Sequence, residues 1–143
     1  MSESKILFVD DEPEWCGLYL EALGAGFDVV LKHSAAEAIE HVHNHMDIEG
    51  IILDIMMPTP IGISSSKTNR GLDTGVWLVE QLVDYILVHK CPVIIATNRE
   101  KSNFEARLSK LALPPELLQV KMKNDLKPSI LAVMMKQLIR SVH

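Results

Sequence analysis

The chain has 143 residues, of which 48% are hydrophobic and 23% are charged, and its formal net charge is −5. This length and balance favour one globular domain with its own core and exclude a chain that is disordered throughout. The acidic charge argues against nucleic-acid binding through a broad basic face. No apolar stretch is long enough to span a bilayer. Cys16 and Cys91 have no metal-binding spacing, so we expect buried thiols in a reducing, cytoplasmic compartment.

Five apolar runs predict buried strands, and a helical pattern follows each of them. In chain order the predicted strands are Ile6–Val9, Phe27–Leu31, Ile51–Asp54, Pro92–Thr97 and Leu117–Lys123. A strand that connects through a helix to the next parallel strand makes a right-handed crossover. The alternation therefore predicts an α/β fold, in which a five-stranded parallel sheet is doubly wound in (βα)5, flavodoxin-like order.

Prolines and capping residues in the sequence predict where several helices begin. Pro13 suits the first turn of a helix, whose inward face we expect to contain Trp15, Leu18, Tyr19 and Ala22. Ser34–Glu37 and Ser102–Glu105 both match the capping box that opens a helix. Pro128 is expected to begin the last helix.

Residues 59–74 interrupt the alternation of strands and helices. Prolines, glycines, serines and an asparagine are concentrated here, and all of them favour turns. A loop of about 15 residues is long for a compact α/β domain, and such loops are usually functional or mobile. We interpret the segment at about 59–72 as an insertion, and we expect it to be the most mobile part of the chain.

Chemically useful side chains follow four of the predicted strands. Asp10, Asp11 and Glu12 follow the first, Asp54 ends the third, Thr97 ends the fourth, and Lys121 or Lys123 lies at the end of the fifth. Ligands of open α/β sheets bind beyond the carboxyl ends of the strands. Clustered carboxylates there favour a divalent cation such as Mg²⁺. An aspartate can also act as a nucleophile toward a phosphoryl group.

Three segments, in this order and spacing, resemble the receiver domain of two-component response regulators (CheY-like). They are Val9-Asp10-Asp11-Glu12, Asp54-Ile55-Met56-Met57-Pro58 and Pro92–Thr97. The resemblance implies that Asp54 is the phosphoacceptor and that Thr97 is the switch hydroxyl. It also implies that Asp11, Asp54 and the backbone carbonyl of Met56 ligate Mg²⁺, with Asp10 acting mostly through water. Lys123 would pair with the phosphoryl group, and Lys121 is the alternative.

By this resemblance, residues 1–143 form a single receiver domain that is not a turnover enzyme. Its partners would be a sensor histidine kinase or phosphotransfer protein and a downstream protein, with a homodimer as a further possibility and no direct contact with membrane or nucleic acid. The chain departs from the usual pattern because Asn124, rather than proline, follows Lys123. A receiver-like module that binds partners without phosphorylation is therefore an alternative. A phosphatase that uses Asp54 is a weaker one, because such enzymes carry a second acid where this chain has Met56.

Overall fold

The computed structural model describes residues 3–143. The strands are β1 (Lys5–Val9), β2 (Asp28–Lys32), β3 (Ile48–Leu53), β4 (Val93–Thr97) and β5 (Leu118–Met122). They form one parallel sheet in the order β2-β1-β3-β4-β5. The predicted fold class is confirmed, with strand boundaries that differ from the predicted ones by a few residues at most.

Five α-helices connect and flank these strands. They are α1 (Pro13–Gly24), α2 (Ala35–His45), α3 (Thr74–His89), α4 (Glu105–Ser109) and α5 (Pro128–Val142). Two hydrophobic clusters cover the two faces of the sheet, because successive strand side chains point in opposite directions. Leu7 and Leu53 pack on the α2 and α3 side, whereas Phe8 and Ile52 pack on the α1 and α5 side. No helix within residues 3–143 is both long and apolar enough to cross a membrane.

The second helix begins as its sequence predicts, whereas the inward face of the first helix differs from the prediction. Ser34 caps α2, and its hydroxyl accepts a hydrogen bond from the Glu37 backbone N–H at 3.2 Å. In α1, Leu18 is 69% exposed, and the buried side chains are Cys16, Tyr19 and Leu23. Cys16, Tyr19 and Leu23 pack into the cluster beneath α1 and the Tyr19 hydroxyl donates to the Leu126 carbonyl, so Leu18 faces outward. The side chain of Trp15 lies outside the described residues.

The predicted capping box at Ser102–Glu105 is wrong. Ser102 lies in a short 3₁₀ turn, and α4 begins only at Glu105, without a side-chain cap. The burial of Phe104 and Leu108 fixes this five-residue helix instead. In so short an element, packing outweighs the contribution of about 1 kcal/mol from a capping side chain.

The insertion predicted at about 59–72 folds back on itself, and together with Asp73, which directly precedes α3, it is called the inserted segment below. Ser65–Thr68 form a 3₁₀ turn, and the buried Thr68 hydroxyl contacts the Thr59 hydroxyl at 2.6 Å. The Thr68 carbonyl accepts hydrogen bonds from the N–H groups of Gly71 and Asp73. The mobility expected for this segment stays a prediction.

Gly75, at the start of α3, approaches the end of β3 so closely that no side chain fits. A Cβ atom there would lie 2.2 Å from the Asp54 carbonyl oxygen and 2.6 Å from the Ile55 Cα. We expect Gly75→Ala to lower the free energy of unfolding by about 1–3 kcal/mol or more, as forced overpacking does. The measurement is urea denaturation.

Gly17 supplies the matched control. It lies inside α1, and a Cβ there would meet no atom within 4 Å. Gly17→Ala should raise the free energy of unfolding by about 0.5–1 kcal/mol, because alanine loses less backbone entropy in a helix. Equal stability of the two variants would contradict the close approach at Gly75.

Candidate functional site

Two buried carboxylates lie at the carboxyl edge of the sheet, on neighbouring strands. The Asp10 N–H donates to the Lys32 carbonyl at 3.1 Å, and the Asp54 N–H donates to the Val9 carbonyl at 3.2 Å. These bonds extend the sheet pairing by one residue and fix the backbone beneath each side chain. Asp10 and Asp54 are 0% and 1% exposed. Buried acids are rarely tolerated unless they are paired with a charge or a metal ion.

Lys123 joins these carboxylates. Its Nζ lies 2.7 Å from Asp54 Oδ2, 3.1 Å from Asp10 Oδ2 and 3.4 Å from Glu12 Oε1. Lys123 is itself buried, just beyond the end of β5. Lys121 lies within β5 and is exposed, so the structure brings Lys123, and not Lys121, to Asp54.

The charges of this cluster shift one another's protonation. Burial alone would lower the pKa of Lys123, but its hydrogen bond to Asp54 and the charges of Asp54 and Asp10 raise that pKa overall. Burial raises the pKa of Asp10 despite hydrogen bonding from Glu12 and the positive charge of Lys123. Lys123 therefore remains a cation at neutral pH, and it partly offsets the cost of two buried carboxylates.

Three carboxylates offer a site for a divalent cation. Asp10, Glu12 and Asp54 each have an oxygen within 4.8 Å of the others, the one such group of three among the described residues. Asp10 Oδ1 accepts from the Glu12 N–H at 2.8 Å, and Asp10 Oδ2 faces the Lys123 ammonium at 3.1 Å. A hard cation prefers oxygen ligands of this kind, so the residues fit Mg²⁺.

The third carboxylate of this group is Glu12, whereas the role that the resemblance implied for Asp11 as a Mg²⁺ ligand stays a prediction. The resemblance selected Asp11, but the structure places Glu12 in the group and leaves Asp11 exposed outside it. The Asp54 charge still contributes to the raised pKa of Asp11, after burial as the larger cause. Glu12 was recognised at the strand end, but nothing in its spacing marked it as a ligand.

Thr97 and Met56 also lie near this edge. Thr97 is fully buried at the end of β4, the strand beside β3, and its Oγ1 accepts from the Arg99 backbone N–H at 3.1 Å. Met56 is half-buried in the loop after Asp54. On either side of it, the Ile55 carbonyl accepts from the Gly75 N–H at 2.8 Å and the Met57 N–H donates to the Gly71 carbonyl at 3.1 Å.

The inserted segment and the start of α3 thus hold the loop that follows Asp54. The Thr74 hydroxyl adds a third bond, to the Met57 carbonyl at 2.5 Å. Gly71 has a φ of +88°, and a Cβ there would lie 2.9 Å from the Met57 carbonyl oxygen. The sequence indicated an insertion at this point, but it did not predict that the insertion would hold the loop that follows Asp54 in place.

Solved structures with the same fold are numerous, although no family model and no curated protein matches the sequence. A response regulator receiver protein from Sinorhizobium medicae WSM419 superposes with a TM-score of 0.75 at 19% identity, over 99% of this chain and 98% of that one. A CheY-like receiver domain from Methanospirillum hungatei JF-1 gives 0.72 at 18% identity, over 98% and 96%. A sensor protein from Polaromonas sp. JS666 gives 0.72 at 18%, over 98% of each.

These similarities cover nearly the whole chain and define its class. The chain has the fold of CheY-like response regulator receiver domains. The predicted resemblance is confirmed at the level of the fold.

Substitutions of Lys123 and Lys121 should differ strongly in their effect on the free energy of unfolding. Lys123→Met leaves Asp10 and Asp54 buried without their cation, and breaking a buried ion pair in this way costs about 3–5 kcal/mol. Lys121→Met, at an exposed position, should change the free energy of unfolding by about 0.5 kcal/mol or less. Chemical denaturation measures both.

A double variant sharpens this test. Asp54→Asn removes one of the two carboxylates that lose their partner, so it should recover part of the stability lost in Lys123→Met. Additive effects of Lys123→Met and Asp54→Asn would mean that the two side chains do not interact.

Proposed function

We propose that this protein is a phosphoacceptor receiver domain that takes a phosphoryl group onto Asp54 and signals through contacts with other proteins. The observation that carries the proposal is the buried Lys123–Asp54 contact at 2.7 Å beside Asp10, at the carboxyl edge of a receiver fold. The donor would be a sensor histidine kinase or phosphotransfer protein. The chain would accept phosphoryl groups without turning over a substrate of its own.

The chemistry follows from the positions of the side chains. A carboxylate oxygen of Asp54 attacks the phosphorus atom, the new P–O bond forms, and the bond from phosphorus to the donor breaks with its electron pair going to the donor. Lys123 is poised to transfer its contact from Asp54 to a phosphoryl oxygen. Its fixed positive charge stabilises the negative charge of the transferred group without reorganisation. The Thr97 hydroxyl would donate to another phosphoryl oxygen.

Asp10 and Asp54, together with Glu12 or Asp11, would hold Mg²⁺. When bound, this ion neutralises charge on the phosphoryl group. The Met56 carbonyl is a further candidate ligand, because the bonds to Ile55 and Met57 keep the loop on either side of it in place.

The phosphoryl group should be added to Asp54 and to no other residue. After incubation with acetyl phosphate and Mg²⁺, intact-mass measurement should find one added phosphoryl group on the parent chain and none on Asp54→Asn. Asp47→Asn, which changes an exposed aspartate paired with Lys5, is the matched control and should be phosphorylated like the parent chain. Hydroxylamine should remove the group, as expected for an acyl phosphate. Phosphorylation of Asp54→Asn to the same extent would contradict the proposal.

Metal binding should depend on the buried carboxylates. We expect Asp10→Asn and Asp54→Asn to weaken Mg²⁺ binding in isothermal titration by about tenfold or more, the range for losing groups that support a metal site. Asp47→Asn should bind like the parent chain. Unchanged affinity in both buried variants would exclude this edge as the metal site. If both buried variants weaken Mg²⁺ binding, a comparison of Asp11→Asn with Glu12→Gln would show which of Asp11 and Glu12 is the third carboxylate ligand.

The second candidate function is a receiver-like module that binds partners without phosphorylation. It is favoured because the end of the chain departs from the usual receiver pattern. Leu118 and Val120 of β5 are half-buried aliphatic residues, and Asn124 rather than proline follows Lys123. Partner binding of equal strength by the parent chain and Asp54→Asn, in the presence of phosphodonor, would support this module over the phosphoacceptor.

A further inference from the structure

One ion pair joins the turn after β4 to the end of the inserted segment. The Arg99 Nε donates to Asp73 Oδ1 at 2.7 Å, and the two side chains are only 14% and 9% exposed. Asp73 also accepts from the Asn69 side-chain amide at 3.4 Å, and its N–H donates to the Thr68 carbonyl. An ion pair this far from solvent is costly to break from one side, because it leaves the other charge buried and unpaired.

The same arginine contacts the switch hydroxyl. Its backbone N–H donates to Thr97 Oγ1 at 3.1 Å, while its side chain holds Asp73. Arg99 therefore connects the buried Thr97 hydroxyl, at the carboxyl edge of the sheet, with the inserted segment. Its backbone N–H bonds to Thr97 and its side chain bonds to Asp73.

A second arginine holds the middle of the inserted segment independently of Thr97. The Arg107 side chain, on α4, donates to the Lys67 carbonyl at 2.6 Å and binds both carboxylate oxygens of Glu80 at 2.7 Å. These side chains are roughly one-quarter exposed, so this contact is more accessible to water than the Arg99–Asp73 pair. Two arginine side chains thus hold the segment, and of these two only Arg99 also contacts the switch hydroxyl.

We propose that Arg99 and Asp73 are positioning residues through which phosphorylation of Asp54 releases the inserted segment, which makes this segment a phosphorylation-dependent surface. The inference rests on the proposed phosphoacceptor function. When the Thr97 side chain rotates toward a phosphoryl group, its oxygen leaves the Arg99 N–H. The turn at Arg99 then shifts to find another partner for that N–H, and the bond to Asp73 lengthens. With its cation displaced, Asp73 moves toward water and the segment loosens.

Trypsin reports on this release directly, because Lys67 and Arg70 are exposed within the segment. Proteolysis of an opened segment follows the population of its open form. We expect cleavage after these residues, followed by mass spectrometry, to be about tenfold faster in the chain phosphorylated with acetyl phosphate and Mg²⁺ than in the unmodified chain. Asp54→Asn, treated identically, should show no acceleration.

Substitutions of the two arginines distinguish a residue that transmits phosphorylation to the inserted segment from one that only holds the segment in place. Arg99→Gln should be cleaved rapidly in both states, so that phosphorylation accelerates cleavage no further, and Arg99→Lys should restore part of the response. Arg107→Gln should raise cleavage in both states while it preserves their ratio. Arg140→Gln, at an exposed arginine of α5, is the matched control and should behave like the parent chain.

Asp73→Asn tests the same ion pair from its other side and can be used if circular dichroism shows that Arg99→Gln does not fold. It keeps the shape of the side chain, and it too should abolish the phosphorylation response. Phosphorylation that leaves cleavage unchanged, or that still accelerates cleavage fully in Arg99→Gln or Asp73→Asn, would overturn the inference alone. Absence of any phosphoryl incorporation by intact mass would overturn the proposed function and this inference with it.

Discussion

The contact between Lys123 and the buried carboxylates of Asp10 and Asp54 is the constraint on which the rest of the site depends. Both residues are fixed at the backbone by a bond to a neighbouring strand, so the two carboxylates stay close together at the same edge of the sheet. A cation from the end of β5 has to reach them, and Lys123 does so at 2.7 and 3.1 Å. The same arrangement would receive a transferred phosphoryl group, because the positive charge is already in place.

Much of this architecture could be predicted from the sequence. Short apolar runs that end in acids or a hydroxyl fix both the strand order along the chain and the edge at which Asp54 and Thr97 lie. Parallel strands buried on both faces leave little freedom in the register. The resemblance implied Lys123, with Lys121 as the alternative, and the structure separates them because Lys123 is buried against Asp54 whereas Lys121 is exposed.

What could not be predicted depends on tertiary contacts. Leu18 fits the helical period, but the face of α1 that packs on the sheet is the one that carries Cys16, Tyr19 and Leu23. Ser102 has the residues of a capping box, yet the burial of Phe104 starts the helix later. The role of Arg99 depends on a partner 26 residues away, and no local pattern signals such a pair.

The central claim is that Asp54 receives a phosphoryl group that Lys123 and Thr97 then contact. A crystal structure of the protein with beryllofluoride and Mg²⁺ tests it most directly, because beryllofluoride imitates a phosphoryl group on a carboxylate. We expect beryllium bonded to an Asp54 oxygen, with Lys123 Nζ and Thr97 Oγ1 each within hydrogen-bond distance of a fluorine. An unmodified Asp54 still paired with Lys123, in crystals grown with excess beryllofluoride and Mg²⁺, would contradict it.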